Sequence, residues 1–124
     1  MLEGTTATKR FEFCYGHHLP GYDGACCNQH GHNSIVEVEF EPTEFEKYKE
    51  MVIDFKKIKK YVGPLVEALD HRNLNDFFEI PTAEALVHYL VEMIQKSVPF
   101  GNHLIRLRLY ETPDSFIEWR KPCK

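Results

Sequence analysis

"HGHNSIVEVEFE", residues 30 to 41, decides the fold. Val36, Val38 and Phe40 fall on one side and Glu37, Glu39 and Glu41 on the other. That period of two fits a strand with one face buried and one in water. Residues 9 to 15 alternate in the same way, with Phe11, Phe13 and Tyr15 on one face. Between the two strands runs "GHHLPGYDGACCNQ", residues 16 to 29, a glycine-rich loop of the kind that carries sites.

Beyond residue 50 the period changes to that of a helix. Phe55, Ile58, Val62, Leu65 and Leu69 recur at three- and four-residue steps, with Asp54 placed to cap the N-terminus. Gly63-Pro64 predicts a kink or a 3-10 turn inside that stretch. A second helix is expected from "PTAE", with Thr82 as N-cap, Glu84 near the positive helix end, and Leu86, Leu90, Met93 and Ile94 as the buried stripe. Residues 103 to 111 alternate again, placing Ile105, Leu107, Leu109 and Glu111 opposite Arg106, Arg108 and Tyr110. "TPD" then turns into a last strand over residues 115 to 120. The order ββααββ predicts one α+β domain over residues 1–124, an antiparallel four-stranded sheet with two helices. Four strands cannot close a barrel alone, so edge-to-edge pairing into a homo-oligomer is expected.

A chain of 124 residues, 43% hydrophobic and 27% charged, has the composition of an ordinary globular domain. Its net charge of -4 speaks against a nucleic-acid surface. The run Lys56, Lys57, Lys59 and Lys60 fits a solvated helix face. No apolar stretch approaches the roughly 20 residues that span a bilayer. "MLEGTTATKR" lacks the apolar segment of a signal peptide, so a cytoplasmic location and reduced cysteines are expected.

His30 and His32 lie two apart at the start of a strand, so both imidazoles project from one face. Gly31 between them allows close approach of the chain. The hairpin brings the end of the first strand alongside, where His17 supplies a third nitrogen; His18 points to the opposite side. Three neutral nitrogens with one open position suit a catalytic zinc ion. His88 and His103 read as surface residues. Cys26 and Cys27 admit two readings. They complete a Cys/His metal site, or one of them is a reagent whose thiolate is favoured by a nearby cation. Asp70 and His71 sit at a helix end, where neighbouring residues diverge. If both act, they are expected to touch different groups rather than each other. Glu111 continues an apolar face, which marks it as a buried carboxylate and a candidate ligand anchor.

These segments, taken together, resemble the 6-pyruvoyl-tetrahydropterin and 6-carboxy-tetrahydropterin synthase family. The resemblance runs through "FCYGHHLP", "ACCNQHGHNSIVEVE", "VIDFKKIK", "LDHRNLND", "PTAE" and "YETPDSFIEWR" in the family's order. It implies the tunnelling fold, in which three chains close a barrel and trimers pair into hexamers, with active sites at subunit interfaces. It also implies Zn2+ on His17, His30 and His32, Cys26 as the catalytic thiol, Asp70 and His71 as its relay, and Glu111 as the carboxylate that grips a pterin ring. The three-residue gap between Cys26 and His30 is similar to that of the 6-carboxy branch of queuosine biosynthesis. That branch converts 7,8-dihydroneopterin triphosphate to a 6-carboxy product, acetaldehyde and triphosphate. Two departures stand out: Tyr15 replaces a small residue, and Cys27 falls on a position the family does not use. The competing expectations are the pyruvoyl activity and a non-catalytic zinc-stapled oligomer. A cupin-like metal barrel also uses His-x-His, but the two helical stretches speak against it.

Overall fold

The alternating segments become two long strands in the computed structural model, which describes residues 2–25 and 28–123. β1 (Ala7–His17) and β2 (His30–Phe40) pair antiparallel along their whole length, from Ala7 opposite Phe40 to His17 opposite His30. β4 (Leu104–Thr112) pairs with β2, and β5 (Ser115–Arg120) with β4, both antiparallel. The predicted four-stranded sheet gains a fifth strand. β3 (Arg72–Asn73) adds two residues parallel to β1, beside Tyr15 and Gly16, giving the order β3-β1-β2-β4-β5. Backbone hydrogen bonds build that strand from exposed side chains, so no alternation announces it.

Phe13, Tyr15, Val36, Val38, Phe40, Leu107 and Leu109 form the covered face of the sheet. α1 (Phe55–Glu67) packs on β1, α2 (Ala83–Ser97) packs on β4 and β5, and the helices touch each other. The Asp54 carboxylate accepts from the Lys56 N–H and the Thr82 hydroxyl from the Ala85 N–H, as the sequence predicts. Several core assignments shift. The buried face of α1 is Ile58, Val62 and Val66, while Phe55 is exposed on its first turn. α1 runs through Pro64 without a break. On α2, Val87 and Val91 are buried and Met93 is only partly covered. A register shift between Glu39 and Phe40 puts Leu104, not Ile105, in the core.

The other face of the sheet carries charge. Arg10 meets Glu37 at 2.9 Å, Arg106 lies between Glu39 (2.5 Å) and Glu37 (3.5 Å), and Glu118 takes Arg108 and Arg120. Glu37 and Glu39, expected in open water, are therefore paired across strands. His103 is also less exposed than expected and stands 2.9 Å from Glu44. Among the described residues, no helix is long and apolar enough to cross a membrane.

Candidate metal centre

The β1–β2 register does what the sequence spacing requires. It sets His17 opposite His30 and Tyr15 opposite His32, so three imidazoles meet where the hairpin opens into its loop. One ring nitrogen from each of His17, His30 and His32 lies within 4.8 Å of the others. Ring centroids are 4.5 to 4.9 Å apart. A Cβ at Gly31 would sit 3.5 Å from the Tyr15 carbonyl, an ordinary contact, so the cluster does not demand glycine there.

The donor set fits a divalent metal. His17 Nδ1 donates to the Pro81 carbonyl at 2.8 Å, and His30 Nδ1 donates to the Asn28 carbonyl at 2.7 Å. Each bond fixes the tautomer whose Nε2 carries a lone pair, the orientation that metal-binding histidines require. Pro81 precedes the α2 N-cap, so the helix start itself orients His17. His32 Nε2 then stands 2.9 Å from His17 Nε2. Lone pairs at that separation repel unless a proton or a cation lies between them. Burial pushes the His32 imidazole below its ordinary pKa, and the adjacent His17 and His30 add to this against the opposing charge of Glu111. A neutral imidazole is the form a metal takes.

Glu111, near the end of β4, projects to the same place. It is partly exposed rather than buried, and its Oε1 accepts from the Tyr15 hydroxyl at 3.2 Å. That same oxygen lies 4.0 Å from the Nε2 atoms of both His17 and His32. A cavity of about 260 Å³ opens beside it, lined by His17, His32, Thr82, Glu111, Phe116 and Ile117. An apolar wall with a few polar groups converging on it is the usual form of a small-molecule site.

A second cluster overturns one expectation. His71 Nδ1 stands 3.1 Å from Asp70 Oδ1, so the two residues do form a local pair. They lie past the end of α1, and His71 has the left-handed backbone (φ 58°), which turns its ring back on its neighbour. The same two residues clamp Cys14 of β1. Asp70 Oδ1 accepts the Cys14 N–H at 2.8 Å, and the His71 N–H donates to the Cys14 carbonyl at 2.6 Å. The Cys14 N–H is the main reason that the Asp70 carboxyl is held below the usual range, with His71 adding to it. Cys14 Sγ, Asp70 and His71 thus lie within 4.8 Å of one another, a grouping that sequence reasoning missed. It rests on the Asp70 carboxylate reaching the Cys14 N–H and on the left-handed turn at His71, and no side-chain period reports either. Cys26 and Cys27, between which the reagent was to be chosen, lie outside the described residues.

A trio of imidazoles at the mouth of a hairpin, beside a cavity and a carboxylate, gives this α+β protein a cluster able to hold a metal ion next to space for a small molecule. The particular lineage follows from comparison: the chain belongs to the 6-pyruvoyl tetrahydropterin synthase family, which matches it over residues 6–122. A dihydroneopterin monophosphate aldolase of Pyrococcus furiosus is 40% identical over 89 residues, covering 72% of this chain and 75% of that protein. A putative 6-carboxy-5,6,7,8-tetrahydropterin synthase of Archaeoglobus fulgidus is 37% identical over 112 residues, covering 88% and 90%. Among solved structures, the Caenorhabditis elegans 6-pyruvoyl tetrahydropterin synthase superposes with a TM-score of 0.82 at 25% identity, covering 95% of this chain and 96% of that one.

Proposed function

We propose that the protein is a zinc-dependent 6-carboxy-5,6,7,8-tetrahydropterin synthase. It converts 7,8-dihydroneopterin triphosphate and water to 6-carboxytetrahydropterin, acetaldehyde and triphosphate, within 7-deazaguanine (queuosine) biosynthesis. One observation carries the reading: the His17–His30–His32 cluster stands beside a cavity that also holds the Glu111 carboxylate. His17, His30 and His32 would hold the ion, which when bound supplies Lewis acidity for the side-chain hydroxyls.

Glu111 accepts hydrogen bonds from the ring's amino and N–H edge, a donor pair matched to a carboxylate. Cys26, four positions before His30, takes a proton from the substrate side chain. A base so placed contributes roughly 10²–10⁴-fold. His71 relays that proton, and the Asp70 carboxylate 3.1 Å away stabilises the charged imidazole. In this reading residues 1–124 are a single pterin synthase domain that works in the cytoplasm as a trimer or hexamer. The sheet order supports assembly, because β3 and β5 end the sheet and can pair with further copies. Active sites then fall at subunit interfaces, where Asp70 and His71 of one copy serve the next.

The aldolase relative supports a second reading. A retro-aldol cleavage of dihydroneopterin monophosphate would use the same ring anchor and a base on a side-chain hydroxyl; breaking the adjacent C–C bond would release glycolaldehyde phosphate and leave a hydroxymethyl pterin. Incubating the zinc-loaded protein with each phosphate ester separates the readings by product mass. A 6-carboxy product from the triphosphate supports the first. A hydroxymethyl product from the monophosphate supports the second, and a pyruvoyl product points to the sister synthase.

A further inference from the structure

Tyr15 is the departure from the family pattern that the structure explains best. It is only 3% exposed, with its ring edge-on to His17 at 5.2 Å and tilted against His32 at 5.4 Å. Its hydroxyl donates to Glu111 Oε1, the oxygen that lies 4.0 Å from both His17 Nε2 and His32 Nε2. Donor atoms bound tetrahedrally to zinc at about 2.0–2.1 Å lie roughly 3.3 Å apart. Glu111 Oε1 is thus less than about 1 Å outside the separation of a fourth ligand, a distance that a small rotation of the carboxylate covers. A site with four protein ligands is closed, whereas three ligands leave a position for substrate.

We propose that the Tyr15 hydroxyl holds Glu111 off the metal, so that the fourth position stays open and the carboxylate stays free for the ligand's N–H donors. This rests on the metal reading of the histidine cluster. A phenol buried this deeply needs a partner, and a charged acceptor gives the stronger bond. That bond occupies the oxygen nearest the imidazoles. Without the hydroxyl, Oε1 loses its only side-chain donor among the described residues and turns toward the cation. Tyr15 is therefore a positioning residue, and it acts through Glu111.

The test is Tyr15→Phe, read by chelator competition for Zn2+ and by the visible absorption of the Co2+-loaded protein. The variant is expected to bind Zn2+ about tenfold or more tightly. Its Co2+ spectrum should shift to that of a site with four protein ligands, and adding Glu111→Gln should return both readouts to wild type. If Tyr15→Phe leaves Zn2+ affinity and the Co2+ spectrum unchanged, or if the wild type binds neither ion, the inference is wrong. Should Tyr15→Phe fold poorly, Glu111→Gln in the wild-type background decides. Unchanged Zn2+ affinity supports the inference, and a tenfold loss overturns it, because Glu111 would then already be a ligand. None of these readouts uses pterin turnover. A protein inactive on pterins that still shows the Tyr15→Phe effect refutes the proposed function and leaves this inference standing.

Discussion

Replacing His17 and His30 by alanine, one at a time, separates what the cluster does for metal from what it does for the fold. His17 is 3% exposed, and its Nδ1 donates to the Pro81 carbonyl at 2.8 Å. In His17→Ala that carbonyl loses its donor, which costs about 1–3 kcal/mol. The space left by the ring beside Tyr15 adds about 1 kcal/mol more. The sum is about 2–4 kcal/mol, and for a chain of this size each kcal/mol moves the melting temperature by about 3–6 °C. His30 is only partly covered and bonds to the carbonyl of Asn28, two residues away. Its loss should cost under about 1 kcal/mol. In chelator, His17→Ala should therefore melt on the order of 10 °C below wild type, and His30→Ala within a few degrees. Zinc at about 100 times its Kd stabilises a folded binder by about 2.7 kcal/mol. That zinc-dependent rise in Tm should appear in wild type and vanish equally in both variants. The assay is a set of thermal melts in EDTA and in zinc, with metal content measured on the same samples. If either variant keeps about one ion per chain and a wild-type zinc shift, the three-histidine site is refuted. Equal melting of the two variants in EDTA would refute the structural account of His17.

Three other outcomes are expected. Gly101→Ala should destabilise by about 3 kcal/mol or more in a denaturant titration, since its Cβ would clash with the Ile94 carbonyl oxygen, a backbone atom that cannot turn aside; near-wild-type stability would contradict the packing of α2 on the following turn. For Glu39, burial alone would raise the pKa, but bonds from Thr6 and Arg106 outweigh it and hold the carboxyl below its ordinary 4.5. Its contribution is therefore present above about pH 4.5 and lost as the pH falls through the lowered value, so Glu39→Gln should flatten the loss of stability in that acid range, and an unchanged profile would remove Glu39 from the account. Cys26→Ala should abolish turnover with zinc retained, while Cys27→Ala should be nearly silent; loss of zinc in Cys26→Ala would make that sulfur a ligand, and the reverse pattern of activity would exchange the two roles.

The sequence made the long strands plain because Val36, Val38 and Phe40 alternate with paired charges, and burial follows that alternation residue by residue. Both helix starts were legible for a local reason: Asp54 and Thr82 cap through bonds that span only two or three residues. The histidine cluster followed from the hairpin register, since His17 opposite His30 is fixed once the two strands pair. What escaped depended on the backbone. The turn at His71, a left-handed residue that is not glycine, created the Asp70–His71 pair, the clamp on Cys14 and the approach to β3. The bulge beside Phe40 put Leu104 in the core in place of Ile105. In the sequence Tyr15 stands out only as a bulky residue in place of a small one; its hydroxyl finds Glu111 across the sheet, a contact between residues 96 positions apart.

In the proposed function the histidines hold the metal while a thiol does the proton chemistry on a pterin. This is tested most directly by mass spectrometry of the products formed from 7,8-dihydroneopterin triphosphate by the zinc-loaded protein, beside zinc-loaded Cys26→Ala. A 6-carboxytetrahydropterin and acetaldehyde are expected from the wild type and unreacted substrate from the variant. Unreacted substrate from both, with zinc bound in each, would contradict it and leave the monophosphate aldolase or a zinc-stapled binding module.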